Sequence, residues 1–131
     1  KKISHKHLII SQSSFYENSP WQVDSNHGDY INMAVKISTN YSAEDLMSHM
    51  MKIERELGRK NKGEKKPRTI DIDILLYGNE ILNSKTLNIP HPYMHLRPFV
   101  LIPMNDIDPN IFHPFKQKTI KELLNNLNLD Y

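Results

Sequence analysis

The stretch of sequence that decides the fold is residues 67–77, PRTIDIDILLY. From Ile70 onward, apolar residues alternate with other residues, and this alternation predicts a β-strand. Successive side chains of a strand face opposite sides. Asp71, Asp73 and Leu75 therefore share one predicted face. The other predicted face is entirely aliphatic and contains Ile70, Ile72, Ile74 and Leu76.

The paired acids and the basic run before them indicate a site for a metal-bound polyphosphate. Two carboxylates at alternate positions of a strand lie about 6–7 Å apart at the backbone, and they repel each other unless a cation lies between them. Mg²⁺ prefers oxygen ligands and leaves coordination positions for substrate phosphates. Residues 59–68, RKNKGEKKPR, are basic and contain glycine and proline, which predicts a mobile loop. A solvated surface loop beside an edge strand is the simpler alternative, but the proximity of Arg68 to both acids favours the site.

Composition limits the possible classes of protein. The 131 residues predict one domain with a hydrophobic core. The formal net charge of +2 is too small to favour a nucleic-acid partner, since the positive charge is concentrated in one loop. The absence of cysteine excludes disulfides and thiolate metal sites. No apolar run is long enough to span a membrane, and no signal peptide is recognisable, so we expect a cytoplasmic protein.

The remaining elements are predicted from periodicity and from helix-capping and turn residues. They are strands at 7–17 and 29–39, a helix at 42–57, a hairpin over 81–83 and 87–89, a short helix from Pro98, irregular chain at 103–114, and a final helix capped by Thr119. In the second strand, one face is predicted to be core: Ile31, Met33, Val35 and Ile37. In the first helix, the predicted buried stripe is Leu46, Met50, Ile53 and Leu57.

Several polar or aromatic residues stand out from this framework. Asn32 and Tyr30 share one face of the second strand. An amide that presents a donor and an acceptor in one plane suits the edge of a heterocycle, although a solvent-facing polar side is the simpler explanation and is favoured on this pattern alone. Trp21, the only tryptophan, is predicted either to cover the core or to stack on a planar ligand. His91 lies between two prolines, with Arg97 six residues later, a pattern that favours anion binding.

These residues resemble the 6-hydroxymethyl-7,8-dihydropterin pyrophosphokinases, a family of folate biosynthesis. Residues 67–74 are similar to the family pattern P-R-x-[LI]-D-[LI]-D-[LI], and the resemblance extends over nearly the whole chain. The supporting segments are SFY at 14–16, DYIN at 29–32, IE at 53–54, GR at 58–59, YGNE at 77–80, IPH at 89–91, Arg97 with Phe99, and LIP at 101–103.

The resemblance implies transfer of the terminal pyrophosphoryl group of ATP to the hydroxymethyl oxygen of the pterin, with release of AMP. It implies an α+β, ferredoxin-like sandwich with a mainly antiparallel sheet, acting as a monomer without nucleic-acid or membrane partners. It also implies that Asp71 and Asp73 bind two Mg²⁺ ions. The implied pterin-binding residues are Tyr30, Asn32 and Phe99, and Trp21 is added as a candidate for stacking on the pterin.

The resemblance further places a set of residues at the ATP site: Glu54, Arg59, Ile74, Leu87, Asn88, His91 and Arg97. Arg59 and Arg68 are expected to act in catalysis together with the two acids, and Arg68 is the loop arginine that reaches the phosphates in the closed state. Two lysines, Lys65 and Lys66, replace an Arg-Trp pair of the family in a loop that is one residue short. Lysine is the poorer bidentate phosphate ligand, so closure contacts are expected to differ.

We expect residues 1–131 to be a single pyrophosphokinase domain whose first strand and part of whose first helix precede Lys1. Two other functions stay open at this point. A ferredoxin-like RNA-binding module would use the basic loop, although the predicted strand faces lack exposed aromatic pairs for stacking. A regulatory domain could bind a nucleotide without catalysis.

Overall fold

The computed structural model describes residues 6–18, 30–58 and 71–127, which contain both strands and helices. In chain order, these elements are β1 (Leu8–Gln12), β2 (Tyr16–Asn18), β3 (Tyr30–Asn32), β4 (Val35–Ser38), α1 (Ala43–Gly58), β5 (Leu82–Asn83), β6 (Asn88–Ile89), α2 (Pro98–Ile107), β7 (Phe112–His113), β8 (Lys118–Thr119) and α3 (Ile120–Asn125). A 3₁₀ turn, Met94–Leu96, precedes α2. The predicted α+β class is confirmed.

The strands of the described residues form four antiparallel pairs: β1 with β4, β2 with β3, β5 with β6, and β7 with β8. The two long strands predicted at 7–17 and 29–39 are therefore each divided in two. Ser13 marks one break, where its N–H donates to the Ala34 carbonyl (2.9 Å) and its hydroxyl accepts from the Ala34 N–H (2.9 Å). Because a side-chain oxygen replaces a backbone carbonyl there, the regular ladder does not continue.

The division of the second strand also changes which side chains are buried. Ile31 is 65% exposed and Val35 37% exposed, whereas Ala34 is buried. The prediction that Ile31 and Val35 are core residues is therefore wrong. The alternation of faces does not persist through a break in the ladder, so the two halves are oriented separately.

Helix α1 closely follows the sequence prediction. The Ser42 hydroxyl accepts from the Asp45 N–H (3.1 Å), as an N-cap does. Leu46, Met50 and Ile53 are buried, but Leu57 is 43% exposed, so its assignment to the buried stripe is wrong. Leu57 lies in the last turn, beyond the part of the helix that packs on the core.

Residues 71–77 belong to no strand ladder and no helix in the described chain, so the strand prediction is wrong for them. Their contacts include a bond from the His91 N–H to the Leu75 carbonyl (2.9 Å), and one such bond does not make a ladder. The predicted alternation holds over Asp71–Ile74, with both acids exposed and both isoleucines directed inward. It ends at Leu75, because Leu75 and Leu76 both pack on a second core.

Two hydrophobic cores lie behind this segment. The buried residues of the first core are Ala43, Leu46, Met50, Ile53, Ile74, Leu87 and Ile89. Those of the second core are Ala34, Met94, Leu101, Met104, Ile120 and Leu123. Since Ile72 and Ile74 pack in the first core and Leu75 and Leu76 in the second, residues 71–77 connect the two.

Helix α2 begins at Pro98, as predicted, but continues to Ile107. The prediction of irregular chain from Pro103 is wrong up to that point. Pro103 removes one helical hydrogen bond, but it is buried in the second half of α2, and the Asp108 N–H still donates to the Met104 carbonyl (3.0 Å). Helix α3 begins at the predicted cap, where Thr119 and Glu122 form a reciprocal capping box. Among the helices of the described residues, none has the length and apolar character needed to cross a membrane.

Candidate active site

The acidic pair lies on the exposed side of residues 71–77, with the first core behind it. The Ile72 N–H, located between the two acids, donates to Oε2 of Glu54 in α1 (2.6 Å). Glu54 therefore attaches the acidic segment to the end of the helix. The spacing alone favoured a pairing of Glu54 with a nearby lysine, and the resemblance placed it at the ATP site. Neither predicted this contact, because its partner is 18 residues away.

His91 lies next to this segment. Its N–H donates to the Leu75 carbonyl, and its ring is partly buried. Burial lowers the pKa of His91; Asp73 opposes that shift and Arg97 adds to it. Asp73 and Arg97 are therefore both close enough to the His91 ring to influence its ionisation. Nδ1 of His91 is buried and has no hydrogen-bond partner in the part of the chain that the structure describes.

Arg97 lies between two aromatic rings at the start of α2. Its guanidinium carbon is 5.7 Å from the centre of the Tyr93 ring and 5.9 Å from that of the Phe99 ring. These cation–π contacts restrict the position of the guanidinium, and its charge acts on His91. Tyr93 was not singled out in the sequence analysis, and its exposure and its contact with Arg97 became apparent only in the structure.

Asn32 lies on the hairpin formed by β2 and β3, where it is directly opposite Tyr16. The hairpin contacts α2, which carries Phe99 in its first turn. The fold thus places Asn32 and Phe99 on two elements that pack together. For Tyr30, the other predicted ring-stacking residue, the structure describes the backbone in β3 but not the side chain.

The other predicted site residues divide into two groups. Ile74 and Leu87 are buried in the first core, where they support the acidic segment and β6, while Asn88 is exposed on β6. Trp21, Arg59 and Arg68 lie outside the described residues, as does the whole basic run at 59–68. Their predicted roles stay predictions.

The chemistry of the acidic pair fits a magnesium ion that is bound together with substrate phosphates. No group of three or more His, Asp or Glu side chains that could hold a metal occurs within residues 6–18, 30–58 and 71–127. Mg²⁺ does not require such a group, since it is commonly held by one or two carboxylates plus phosphates and water. Asp71 and Asp73 supply two exposed carboxylates on one side of the segment.

Comparison with known proteins identifies the family. Residues 1–109 match the family model of 7,8-dihydro-6-hydroxymethylpterin-pyrophosphokinase (HPPK). The chain belongs to the HPPK family. The resemblance carried by residues 67–74 and the segments around them is therefore confirmed at the level of the family.

Individual relatives agree with this assignment. The chain is 39% identical over 110 residues to the 2-amino-4-hydroxy-6-hydroxymethyldihydropteridine pyrophosphokinase of Aquifex aeolicus, covering 84% of the chain and 68% of that HPPK. It is 40% identical over 116 residues to the enzyme of the same name from Haemophilus influenzae, covering 88% of the chain and 71% of the relative. The Folic acid synthesis protein FOL1 of Dictyostelium discoideum is 39% identical over 127 residues, which are 97% of the chain but 19% of that larger protein.

Proposed function

We propose that this chain transfers the pyrophosphoryl group of ATP to the hydroxymethyl oxygen of 6-hydroxymethyl-7,8-dihydropterin, a step of folate synthesis. The observation that carries the proposal is the match of residues 1–109 to the HPPK family. It is supported by the two exposed acids, Asp71 and Asp73, and by the electrostatic influence of Asp73 and Arg97 on His91. A new bond forms between the pterin oxygen and the β-phosphorus of ATP. The bond from that phosphorus to the oxygen bridging the α-phosphate breaks, AMP leaves, and the hydroxyl proton is released.

The phosphates of ATP require charge neutralisation and positioning rather than covalent chemistry. Arg97 provides a planar guanidinium that suits bidentate contacts with phosphate oxygens. His91 is favoured in its neutral form, because burial lowers its pKa. A neutral ring has one N–H to donate to a phosphate. Asp71 and Asp73 would hold Mg²⁺, which when bound neutralises phosphate charge and orients the reacting oxygens.

The pterin is assigned to the space beside Asn32 and Phe99. The Asn32 amide offers a donor and an acceptor to the edge of the ring, and the faces of Phe99 and Tyr30 are suited to stacking on it. Trp21 is a further stacking candidate. Arg59 and Arg68 belong to the basic run that we propose closes over the phosphates, excludes water and brings Arg68 to the developing charge.

The broader architecture and setting also belong to this proposal. The four antiparallel pairs and three helices are consistent with elements of a ferredoxin-like sandwich. We propose a single domain over residues 1–131 that acts as a cytoplasmic monomer with ATP and the pterin as its small-molecule partners. The non-catalytic RNA- or nucleotide-binding alternative is not favoured by the family assignment.

Product analysis tests the proposal. The protein, shown to be folded by circular dichroism, is mixed with Mg²⁺, ATP and 6-hydroxymethyl-7,8-dihydropterin, and the nucleotides are separated by chromatography. AMP that appears in equal amount with the pterin diphosphate, and only when the pterin is present, is the expected result. ATP binding by the folded protein without any AMP would overturn the proposal in favour of a non-catalytic nucleotide-binding module.

A further inference from the structure

Asp106, an exposed residue of α2, attaches the β2–β3 hairpin to that helix. Its Oδ2 accepts a hydrogen bond from the backbone N–H of Ser14 (2.9 Å), just before β2. Its carboxylate also accepts a hydrogen bond from the Tyr16 hydroxyl. One acid near the end of α2 thus contacts the hairpin at two points that are 92 and 90 residues away in the chain.

These contacts lie close to the residues proposed to bind the pterin. Tyr16 is directly opposite Asn32 in the β2–β3 ladder, so the strand held by Asp106 is the one that pairs with the strand carrying Asn32. Phe99 and Asp106 are seven residues apart in α2. Two helical turns separate them, which puts them on the same face at a spacing of about 10 Å. That face is the one directed at the hairpin.

The ionisation states of both groups suit these bonds at neutral pH. The hydrogen bonds from Ser14 and Tyr16 lower the pKa of Asp106, and its carboxylate raises the pKa of Tyr16. The acid is therefore charged and accepts, while the phenol is protonated and donates. Because Asp106 is exposed, these bonds contribute little to overall stability, and their main consequence is geometric.

We infer that Asp106 is a positioning residue for the pterin, which fixes the separation between Asn32 on the hairpin and Phe99 on α2. The inference rests on the proposed function. The inference predicts different effects on the binding of the two substrates. The elements that Asp106 joins carry the proposed pterin-binding residues. Asp71, Asp73 and His91 are instead held by α1, the two cores and the Leu75 carbonyl. Loss of the Asp106 contacts should loosen one half of the site and leave the other in place.

The test compares steady-state constants for both substrates in five proteins: wild type, Asp106→Ala, Asp106→Asn, Tyr16→Phe and the double variant Asp106→Ala/Tyr16→Phe. Asp106→Ala is expected to raise the KM for the pterin about tenfold, since a factor of ten corresponds to roughly one net hydrogen bond, with the KM for ATP unchanged. Asp106→Asn keeps an acceptor oxygen and should give a smaller increase. Tyr16→Phe removes one hydroxyl, and adding it to Asp106→Ala should have no further effect if both act through the same bond.

Asp108→Asn is the matched control, because Asp108 is a nearby acid that contacts Lys36 of β4 (3.5 Å) and not the hairpin. Thermal melting of each variant identifies any that fail to fold, in which case Tyr16→Phe decides the question. If the wild type is active, but Asp106→Ala and Tyr16→Phe have the same pterin KM as the control, this inference alone is overturned. Equal increases in KM for both substrates would also overturn it. An inactive wild type would overturn the proposed function, and this inference with it.

Discussion

The two halves of the candidate site are attached to the protein in different ways. Residues 71–77, which carry the acids, are supported from behind by both hydrophobic cores, through Ile72 and Ile74 on one side and Leu75 and Leu76 on the other. The β2–β3 hairpin, which carries Asn32, has an exposed apolar residue at Ile31 and is joined to α2 through the exposed Asp106.

This difference predicts where substitutions will affect chemistry and where they will affect stability. A buried apolar support cannot be removed without loss of folding free energy, because each side chain fills space in a packed interior. An exposed polar link can be removed with little loss of stability, but the groups that it positions then move. The four predictions below use this comparison, from the largest expected effect to the smallest.

The largest effect is expected for Asp73→Asn, because it removes a charge from the proposed magnesium and phosphate site without disturbing the core behind it. We expect kcat to fall by about 10²- to 10³-fold, as for other losses of transition-state charge stabilisation, with an unchanged melting temperature. AMP formation measures this effect. Glu80→Gln, at an exposed acid just beyond the segment, is the control and should retain full activity. A parallel loss in that control would contradict the site assignment.

The second prediction compares a buried residue with an exposed one. Leu101 in α2 is 0% exposed, so Leu101→Ala should lower the free energy of unfolding by about 2–5 kcal/mol. Ile31→Ala on the hairpin, where the side chain is 65% exposed, should change it by less than about 0.5 kcal/mol. Urea denaturation of the two variants measures both values. Similar losses would show that the hairpin is supported by burial after all.

The third prediction concerns Glu54, which links α1 to the acidic segment. Glu54→Ala leaves the Ile72 N–H without this acceptor, at a cost of about 1–2 kcal/mol in stability, and should also lower kcat. Glu54→Gln retains an acceptor oxygen and should recover most of the stability. Lys52→Ala, an exposed change on the same helix, serves as the control. If Glu54→Gln and Glu54→Ala were equally unstable, the contact with Ile72 would not be the cause.

The smallest effect is expected from His113, which is 2% exposed and whose Nδ1 accepts from the Lys116 N–H (3.0 Å). Burial lowers the pKa of His113, and His95 and Lys116 lower it further. His113 therefore binds a proton at about pH 6.5 in the unfolded chain, but only at a lower pH in the folded protein. Stability is complete above that value and decreases as the pH falls from it toward the folded pKa.

His113→Asn should make this acid sensitivity smaller, because the amide oxygen can still accept from Lys116 but does not titrate. As the pH is lowered from 7 to 5, the melting temperature of the variant should decrease less than that of the wild type. His7, His91 and His95 also have lowered pKa values, chiefly through burial, so part of the dependence should persist. Identical slopes for the two proteins would exclude His113 as a contributor.

The sequence by itself determined where the three helices begin, the paired acids and the family, but not that α2 continues through Pro103 to Ile107. The caps at Ser42 and Thr119 and the apolar spacing within α1 and α3 act over a few residues, so local reasoning identified them correctly. The alternation at 71–74 likewise places both acids on the exposed side, because a period of two is a property of any extended chain.

Only the tertiary structure decided which segments pair and which residues of distant segments meet. The breaks at Ser13 and Ala34, the exposure of Ile31, and the division of residues 72–76 between two cores depend on neighbours that are far away in the chain. The same is true of the contacts of Glu54 with Ile72 and of Asp106 with Ser14 and Tyr16. Hydrogen bonds and packing across such separations are set by the folded arrangement as a whole, so no local pattern encodes them.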